Sequence, residues 1–482
     1  MIKKYDAIII GSGIGGLTCG CYLAKSGAKV LIVEQQKKVG GYCSSFSRQG
    51  YKFDVGVHYL GGIKRGILGK ILEEIDLKDE ILFNQFNPSD KIVMPENTTY
   101  VHSELKETIE SFKNSFPSER KNIDSFFKFI GQDNFLNVYR KVRKFTFQKV
   151  LNDFFTDIKI KATLGMLLEN VGLPASRISA KTAILLFREF IMDPGYYPEG
   201  GMQIFSDQFA EKFKEYGGEI ILSQKVEKIL IHNNSVEGIM FGRENIVLSD
   251  IVISNIDATQ TFKKLLNISN VKELLVIKRM DTSLPVFALY LGLSTNLNNL
   301  MDTSCNIWYS ISYDLEDQFC NLRSNVVDGN ISSLMISFPS LHNKVSNTNT
   351  LASFTLVPYE SKSFWDKLRE PLSELLIKKI NMFVPLVEKH ISLKITATPI
   401  TFERFTANKK GASYGWAPTL EQSNTPLLPQ QTSVAGLFLV GHWCATGLGE
   451  GGISGVASLG RNAARLILTD ARKKWGYPTF LL

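Results

Sequence analysis

One stretch near the start of the chain constrains the fold most, because strand, turn and helix signals follow one another there without a gap. The apolar run 7–10 is short and β-branched, as expected for a strand buried on both faces. The glycine-rich turn GSGIGG at 11–16 leads into a helix predicted over about 15–26. A second strand is predicted over 29–33 and ends on Glu34. This order predicts a βαβ unit that binds a dinucleotide.

The glycines and the acid of this unit have distinct expected roles. Gly11 makes the tight turn, Gly13 lets the backbone approach a pyrophosphate, and Gly16 allows close helix–strand contact. The free N–H groups at the start of the helix attract phosphates. Glu34 accepts hydrogen bonds from ribose hydroxyls and disfavours a 2′-phosphate, so FAD or NAD is preferred over NADP. The residues predicted to contact the dinucleotide here are Gly11, Ser12, Gly13, Ile14, Gly15, Gly16, Glu34 and Gln35.

Length and composition limit the class of protein. A chain of 482 residues is expected to form two or three compact units. Hydrophobic residues at 44% and charged residues at 21% are typical of a soluble globular protein. The formal charge of +8 indicates a solvated lysine-rich surface and leaves contact with an anionic membrane open. No basic motif with interleaved aromatics points to nucleic acid.

Targeting, membrane and metal signals are weak. No apolar run approaches the ~18 residues that span a bilayer, and the apolar run after the first lysines is too short for a signal peptide. The six cysteines are scattered without a C-x-x-C pair, which favours reduced thiols and a cytoplasmic location. The six histidines show no ligand spacing, so no metal site is predicted.

The residues after Glu34 resemble a known family, and this resemblance distinguishes FAD from NAD. The glycine pair Gly40-Gly41 and the segment FDVGVHYLGG at 53–62 resemble motifs of the large FAD-dependent oxidoreductase group that includes amine oxidases and carotenoid desaturases. The resemblance implies FAD. It also implies that the pair lies near the ribityl chain and phosphates, and that the next segment faces the isoalloxazine ring. The residues it assigns to the cofactor here are Gly40, Gly41, Tyr42, Cys43, Val57 and His58. That group usually has arginine where this chain has Tyr42, so one phosphate contact differs.

Two further segments match the same group. Residues 196–239 resemble its second FAD segment, in which Val226 would contact adenine through its backbone. The strand 251–254 and the following Asn255 resemble the return to the FAD sheet. Residues 396–419 are similar to the pattern before the last FAD strand in carotenoid desaturases, carotenoid isomerases and retinol saturases.

A second match to G-x-G-x-x-G, GLGEGG at 447–452, lies near the end of the chain. A second dinucleotide unit would need another strand after the helix predicted at 453–468, and Asp470 instead continues from that helix. The sequence therefore predicts no second site. The resemblance implies that this loop folds beneath the flavin, where helix N–H groups stabilise negative charge at the pyrimidine end. The residues it assigns to the cofactor are Gly441, His442, Gly452, Ile453 and Ser454.

The expected fold is α/β, with a Rossmann-like FAD-binding domain of the GR2 type. The chain divides into a discontinuous FAD domain, a helical region that is a candidate membrane or substrate-entry face, and a sheet-containing substrate domain. Their predicted boundaries are 1–76, 195–275 and 425–482 for the first, 77–194 for the second and 276–424 for the third.

The resemblance implies an apolar substrate, a polyene or isoprenoid lipid such as a carotenoid or retinoid. The implied chemistry is hydride transfer between a carbon–hydrogen bond and flavin N5, in the direction of desaturation or saturation. Redox-neutral cis–trans isomerisation on reduced FAD, an amine-oxidase-like reaction on a polar substrate, and non-enzymatic binding of a prenyl lipid stay open. Candidate residues near the ring or the substrate are His58, Tyr59, His442, Trp443 and Glu403. For the histidines, a packing role is the alternative, and for Glu403 a surface ion pair with Arg404.

The stretch 136–163 combines lysines and arginines with phenylalanines. A basic helix with an aromatic face can lie on anionic lipid, so peripheral membrane contact is one interpretation. The other is a helix that packs its phenylalanines in the protein interior. The aromatic residues concerned are Phe145, Phe147, Phe154 and Phe155.

Overall fold

A five-stranded parallel sheet carries the glycine-rich turn. The computed structural model describes residues 3–132, 134–268, 271–301, 304–343, 349–446 and 452–475. The central strands are fully buried runs of β-branched residues, as a sheet covered on both faces requires. In spatial order the strands are Leu437–Leu439, Val252–Ser254, Ala7–Ile10, Val30–Val33 and Glu219–Ile221. These strands come from all three segments predicted for the FAD domain.

Two helices from opposite ends of the chain pack against each other beside this sheet. The first is Ile14–Lys25 and the last is Gly452–Trp475. A side chain at Gly460 would place its Cβ 2.3 Å from the carbonyl oxygen of Gly15, so only glycine permits this close crossing. The helices Met202–Glu215 and Ile67–Glu74 complete this layer.

A seven-stranded mixed sheet forms the second half of the molecule. In spatial order its strands are Ile391–Ala397, Val286–Leu293, Thr350–Leu356, Ser333–Ser337, Asn306–Ser310, Asp90–Val93 and Thr98–Val101. Alternation along a strand divides its side chains between two faces. Leu289 and Leu291 point into a core under the helix Lys362–Ile380, whereas Tyr290 joins a separate aromatic cluster on the other face.

The region predicted as helical, 77–194, also contributes strands. Phe83–Gln85 pairs with Tyr196–Pro198, and the strands Asp90–Val93 and Thr98–Val101 extend the large sheet. These short segments carry little periodicity of their own, and strand pairing decides their structure. For Asp90–Val93 one partner strand lies more than 200 positions away. The helices of this region are Leu105–Ser115, Arg120–Ile130, Phe135–Val142, Phe147–Phe154, Ile158–Met166 and Ala180–Phe190.

The phenylalanines of the basic stretch lie mostly inside this helical region. Phe147 and Phe155 are buried, Phe154 is partly buried against the same core, and Phe145 is 40% exposed. The structure thus favours the interior-packing interpretation for three of the four rings. None of the helices in the described ranges combines the length and apolarity needed to cross a bilayer.

The remaining elements connect the two sheets. A hairpin is formed by Ser45–Arg48 and Tyr51–Asp54, and a three-stranded antiparallel sheet by Val226–His232, Ser235–Phe241 and Asn245–Leu248. The other helices are Ala258–Gln260, Lys272–Ile277, Leu315–Cys320, Leu322–Val327, Pro339–His342, Pro399–Thr406 and Leu420–Asn424.

Candidate active site

A cavity of about 1570 Å³ extends from the glycine-rich turn to the aromatic face of the large sheet. Pockets for a single small ligand usually measure about 300–1,000 Å³, so this one has room for two molecules in contact. Most predicted site residues line it: Gly11, Gly13, Ile14, Gly15, Glu34, Gln35, Gly40, Gly41, Tyr42, Cys43, Val57, His58, Tyr59, Val226, Asn255, Glu403, Gly441, His442, Gly452 and Ile453. The predicted residues absent from its wall are Ser12, Gly16, Trp443 and Ser454.

The glycine-rich end has the geometry of an anion cradle. Gly13 caps the first helix without a side-chain hydrogen bond, and no acidic residue lies in the first turn. The N–H groups there remain available to a phosphate. A Cβ at Gly16 would lie 2.5 Å from the carbonyl oxygen of Gly11. The Asn255 amide holds the turn by donating to the carbonyls of Gly11 and Gly13, at 3.2 Å each.

Glu34 lies at the carboxyl end of the second strand with its carboxylate already oriented. The backbone N–H and the hydroxyl of Ser12 both donate to Oε2 at 2.8 Å. The N–H of Gln36 donates to Oε1 at 2.8 Å. Ser12 therefore acts from behind the cavity wall by positioning Glu34, and the remaining lone pairs of the carboxylate suit ribose hydroxyls.

The glycine pair runs beside the first turn. Both glycines have positive φ, 111° at Gly40 and 59° at Gly41, and the Gly40 N–H donates to the Ser12 carbonyl at 2.9 Å. The Tyr42 hydroxyl donates to the carbonyl of Ala412 at 3.0 Å, and burial raises the pKa of Tyr42 to about 12. Tyr42 is therefore neutral and brings no positive charge to a phosphate.

His58 and Tyr59 lie deeper in the cavity. Burial lowers the pKa of His58 to about 4, and its Nδ1 makes no hydrogen bond of ordinary geometry to any described residue. The Tyr59 hydroxyl donates to Asp90 Oδ2 at 3.2 Å, and Trp308 Nε1 donates to Asp90 Oδ1 at 2.8 Å. Burial and the adjacent carboxyl raise the pKa of Tyr59 well above its ordinary value, so the phenol keeps its proton.

His442 and Trp443 diverge although they are adjacent in sequence. The His442 ring faces the cavity, 6.2 Å from the Tyr42 ring, and burial lowers its pKa to about 4. Trp443 is buried behind the wall, where Nε1 donates to Asn408 Oδ1 at 2.9 Å. Trp443 therefore packs and braces the wall, whereas His442 presents a neutral ring to a ligand.

Of two further predicted residues, Glu403 lines the cavity and Ser454 does not. Glu403 lies at the mouth of the cavity, and its Oε2 accepts a hydrogen bond from the Tyr359 hydroxyl at 2.6 Å. Ser454 is buried, and its hydroxyl donates to the Gly61 carbonyl at 3.5 Å. Residues 447–451 of the predicted loop beneath the flavin lie outside the described ranges. Asp470 falls within the last helix, as expected for a segment that builds no second dinucleotide unit.

The family of the chain follows from comparison with known proteins. The family described as flavin containing amine oxidoreductase matches residues 14–468. The chain belongs to this family. The glycine cradle, the oriented Glu34 and the cavity of about 1570 Å³ fit the FAD that membership in such a flavoprotein family implies. Within the described ranges, no three His, Cys, Asp or Glu side chains cluster as a metal ion would require.

Two relatives of this flavoprotein are named as a reductase of retinol and an isomerase of prolycopene. The all-trans-retinol 13,14-reductase of Danio rerio is 24% identical, over 91% of this chain and 82% of that protein. The chloroplastic prolycopene isomerase of Daucus carota is 27% identical, over 96% of this chain and 81% of that protein.

Solved structures support the α/β fold. An oxidoreductase from Methanosarcina mazei is 18% identical with a TM-score of 0.67, and covers 96% of this chain and 100% of its own. Putrescine oxidase bound to putrescine is 15% identical with a TM-score of 0.67, and the match covers 97% of this chain and 99% of that one. A Rab GDI from Plasmodium falciparum is 14% identical with a TM-score of 0.55, and covers 100% of both chains.

Several cavity residues of this flavoprotein escaped prediction from sequence. Trp308 lines the cavity, and Asp90 holds it from behind the wall; the two meet only because their neighbouring strands pair in parallel. Glu169 and Tyr414 come from distant segments and face the same space. The one local signal was Glu169, a single acid that, with Asn170, interrupts the apolar run LGMLLENVGL at 164–173.

His342, which lies outside the cavity, is expected to make the free energy of unfolding depend on pH. Its ring stacks on Phe86 with centroids 3.8 Å apart, it is 2% exposed, and burial lowers its pKa to about 4. Because the unfolded chain binds a proton near pH 6.5 and the native ring does not, the free energy of unfolding falls as pH falls from 6.5 to 4, by up to about 3 kcal/mol for this residue. His342→Phe keeps an aromatic ring stacked on Phe86. We expect the free energy of unfolding of this variant, measured by urea unfolding, to change less between pH 6.5 and pH 4 than that of the wild-type protein. Equal changes in both proteins would contradict the prediction.

Proposed function

We propose that the protein is an FAD-dependent oxidoreductase that acts on carbon–carbon single or double bonds of an apolar polyene or isoprenoid lipid. The observation that carries this proposal is the wall of the cavity opposite the glycine-rich turn. It is formed mainly by apolar and aromatic side chains: Val286, Tyr290, Trp308, Met335, Phe354, Leu356 and Ile395. A long apolar molecule can lie along such a wall, whereas a small polar substrate would leave it in contact with water. The retinol and prolycopene named for the two relatives are molecules of this class.

When bound, FAD supplies hydride donation and acceptance at its N5 atom. The glycine turn and Glu34 would hold the nucleotide end, and the N–H groups of the first helix would neutralise phosphate charge. Tyr59, held by Asp90, keeps its phenolic proton and a fixed orientation. His58 and His442 are neutral at pH 7 because burial depresses both pKa values to about 4, so they offer hydrogen-bond acceptors without adding charge.

Redox-neutral cis–trans isomerisation is the second candidate function. The 27% identity to prolycopene isomerase over 96% of the chain favours it. The same apolar wall serves both reactions, since each needs an extended polyene beside the cofactor. Product analysis therefore has to separate them.

The experiment begins with the absorbance of the purified protein after FAD reconstitution. Flavin-loaded protein is then incubated without oxygen, with and without a chemical reductant, with all-trans-retinol, a poly-cis carotene, or a primary amine. A product two hydrogens heavier indicates saturation, one two hydrogens lighter indicates desaturation, and unchanged mass with altered retention indicates isomerisation. Consumption of the primary amine, with retinol and the carotene unchanged, would favour the amine-oxidase-like alternative. Lipid binding without flavin would favour a non-enzymatic carrier.

We also propose that the mouth of the cavity, rather than the stretch 136–163, contacts membrane. Lys37, Lys38, Arg48 and Arg404 are exposed around this mouth, and Phe405 among them is 51% exposed. Cations around an exposed aromatic ring suit an anionic lipid surface, from which an apolar substrate could enter directly.

The mouth gives a vesicle-binding prediction. We expect the protein to cosediment with vesicles containing phosphatidylserine, and Arg404→Glu combined with Phe405→Ser to weaken binding by about 10-fold, since each basic residue contributes about 1 kcal/mol near such a surface. Arg143→Glu is the matched control in the basic stretch 136–163. A larger loss in the control than in the mouth variant would contradict this placement.

A further inference from the structure

Glu169 is a carboxylic acid in the wall of an otherwise apolar part of the cavity. It lies in a short 3-10 turn, Leu167–Val171, that follows the helix Ile158–Met166. Its Oε1 accepts a hydrogen bond from the Ser333 hydroxyl. Among the described residues, none is hydrogen-bonded to Oε2. The carboxyl group thus has one fixed oxygen and one oxygen left for another partner.

The cavity wall in the segments around Glu169 is mostly apolar. It includes Val171, Leu186, Met335 and Leu356, together with the polar Asn170 and Thr355. Burial raises the pKa of Glu169 to about 7, so a large share of the molecules carry a protonated carboxyl group at neutral pH. A protonated carboxyl group can donate a hydrogen bond as well as accept one.

A second polar group faces the same space. Tyr414 also lines the cavity. Burial is the main cause that raises the pKa of its phenol, followed by Tyr42 and then by Glu169, so Tyr414 lies within electrostatic reach of Glu169. Thr355 also lines the cavity, and its hydroxyl donates to the Ser333 carbonyl at 2.8 Å. Glu169 and Tyr414 therefore present two hydrogen-bonding groups to one region of an apolar chamber.

Buried polar groups in native proteins usually have a partner, and those left open toward a cavity are candidates for ligand contact. We propose that Glu169 and Tyr414 form a polar subsite that binds a hydroxyl or carbonyl oxygen at one end of the apolar substrate. This inference rests on the proposed function and narrows the substrate class to oxygen-terminated polyenes. A hydrogen bond at this end would fix how far the chain extends toward His58 and Tyr59, and so which double bond lies at the cofactor.

The test compares two ligands on the flavin-loaded protein. One is all-trans-retinol, and the other is the matched hydrocarbon with a methyl group in place of the CH₂OH group. Dissociation constants are measured by quenching of protein fluorescence. We expect the wild-type protein to bind the alcohol about 10-fold more tightly than the hydrocarbon, as one well-placed hydrogen bond allows.

Variants locate the source of this preference. Glu169→Leu is expected to remove it by weakening alcohol binding alone, and Glu169→Gln, which retains a donor, to keep most of it. Tyr414→Phe is expected to reduce it partly. Flavin absorbance and thermal unfolding check that each variant is folded.

Other outcomes separate the two proposals. Equal binding of alcohol and hydrocarbon by wild type, or equal weakening of both ligands in Glu169→Leu, would overturn the polar subsite and leave the polyene function in place. If neither ligand binds the flavin-loaded protein, the proposed function itself fails, and the subsite with it.

Discussion

The Gly16→Ala variant is expected to purify without flavin and to lose about 1–3 kcal/mol of unfolding free energy, the range found when well-packed sites are overfilled. Gly16 lies in the first helix, and its added Cβ would lie 2.5 Å from the carbonyl oxygen of Gly11 and 2.8 Å from Nδ2 of Asn255. Neither is the free end of a flexible side chain, because the Asn255 amide is hydrogen-bonded to the turn. The methyl group would therefore displace the turn that forms the phosphate cradle.

A matched control separates this effect from loss of glycine as such. Gly165 is also within a helix, Ile158–Met166, and an added Cβ there would lie 3.2 Å from the tip of Leu315. Gly165→Ala is expected to keep its flavin and almost all of its stability, since a leucine tip can move. Flavin content follows from the ratio of visible to ultraviolet absorbance, and stability from urea unfolding. Normal flavin content in Gly16→Ala would refute the cradle assignment.

The second large effect is expected at Asp90, which is fully buried. It accepts hydrogen bonds from Trp308 Nε1 at 2.8 Å, from the Ser89 hydroxyl at 2.7 Å and from the Tyr59 hydroxyl at 3.2 Å. Asp90→Ala leaves Trp308 Nε1 and the Tyr59 hydroxyl without this acceptor in the interior, whereas the Ser89 hydroxyl retains the Val101 carbonyl at 3.2 Å. We expect the change to cost about 3–5 kcal/mol in total. It also frees Tyr59 from its fixed orientation beside the cavity, so we expect catalytic turnover to fall with stability.

Asp90→Asn is the informative comparison. Asparagine keeps a carbonyl oxygen for Trp308, and the Ser89 and Tyr59 hydroxyls can rotate to accept from its amide group. We therefore expect a cost of about 1 kcal/mol and retention of the flavin spectrum. Urea unfolding and steady-state turnover of the proposed polyene substrate are measured for both variants. Equal losses in Asp90→Ala and Asp90→Asn would show that the hydrogen-bond network is not the cause.

The parallel sheet could be predicted from sequence because its signals are local. The predicted first helix, 15–26, differs by one residue at each end from the observed Ile14–Lys25. The strands on either side are short runs of β-branched residues that glycine or charged residues end, so each boundary is marked in its own segment. The identity of the cofactor came from family resemblance, since the glycine motif alone allowed FAD or NAD.

The contacts between distant segments that shape the site could not be predicted in the same way. Asp90 reaches Trp308 through a strand pairing between residues more than 200 positions apart, and nothing in Asp90–Val93 specifies that partner. The environment of Glu169 depends on Ser333 and Tyr414, which come from two other segments. The same holds for Trp443, whose neighbour in the chain lines the cavity while its own ring is buried against Asn408.

The crossing of the first and last helices has a consequence for the biosynthesis of the holoprotein. The ribosome makes the phosphate cradle more than 400 residues before it makes Gly441 and the helix that packs on Gly15. Until then one strand of the parallel sheet, Leu437–Leu439, is missing as well. Flavin uptake should therefore wait until this last helix has been made, and a chain interrupted before about residue 440 should remain colourless.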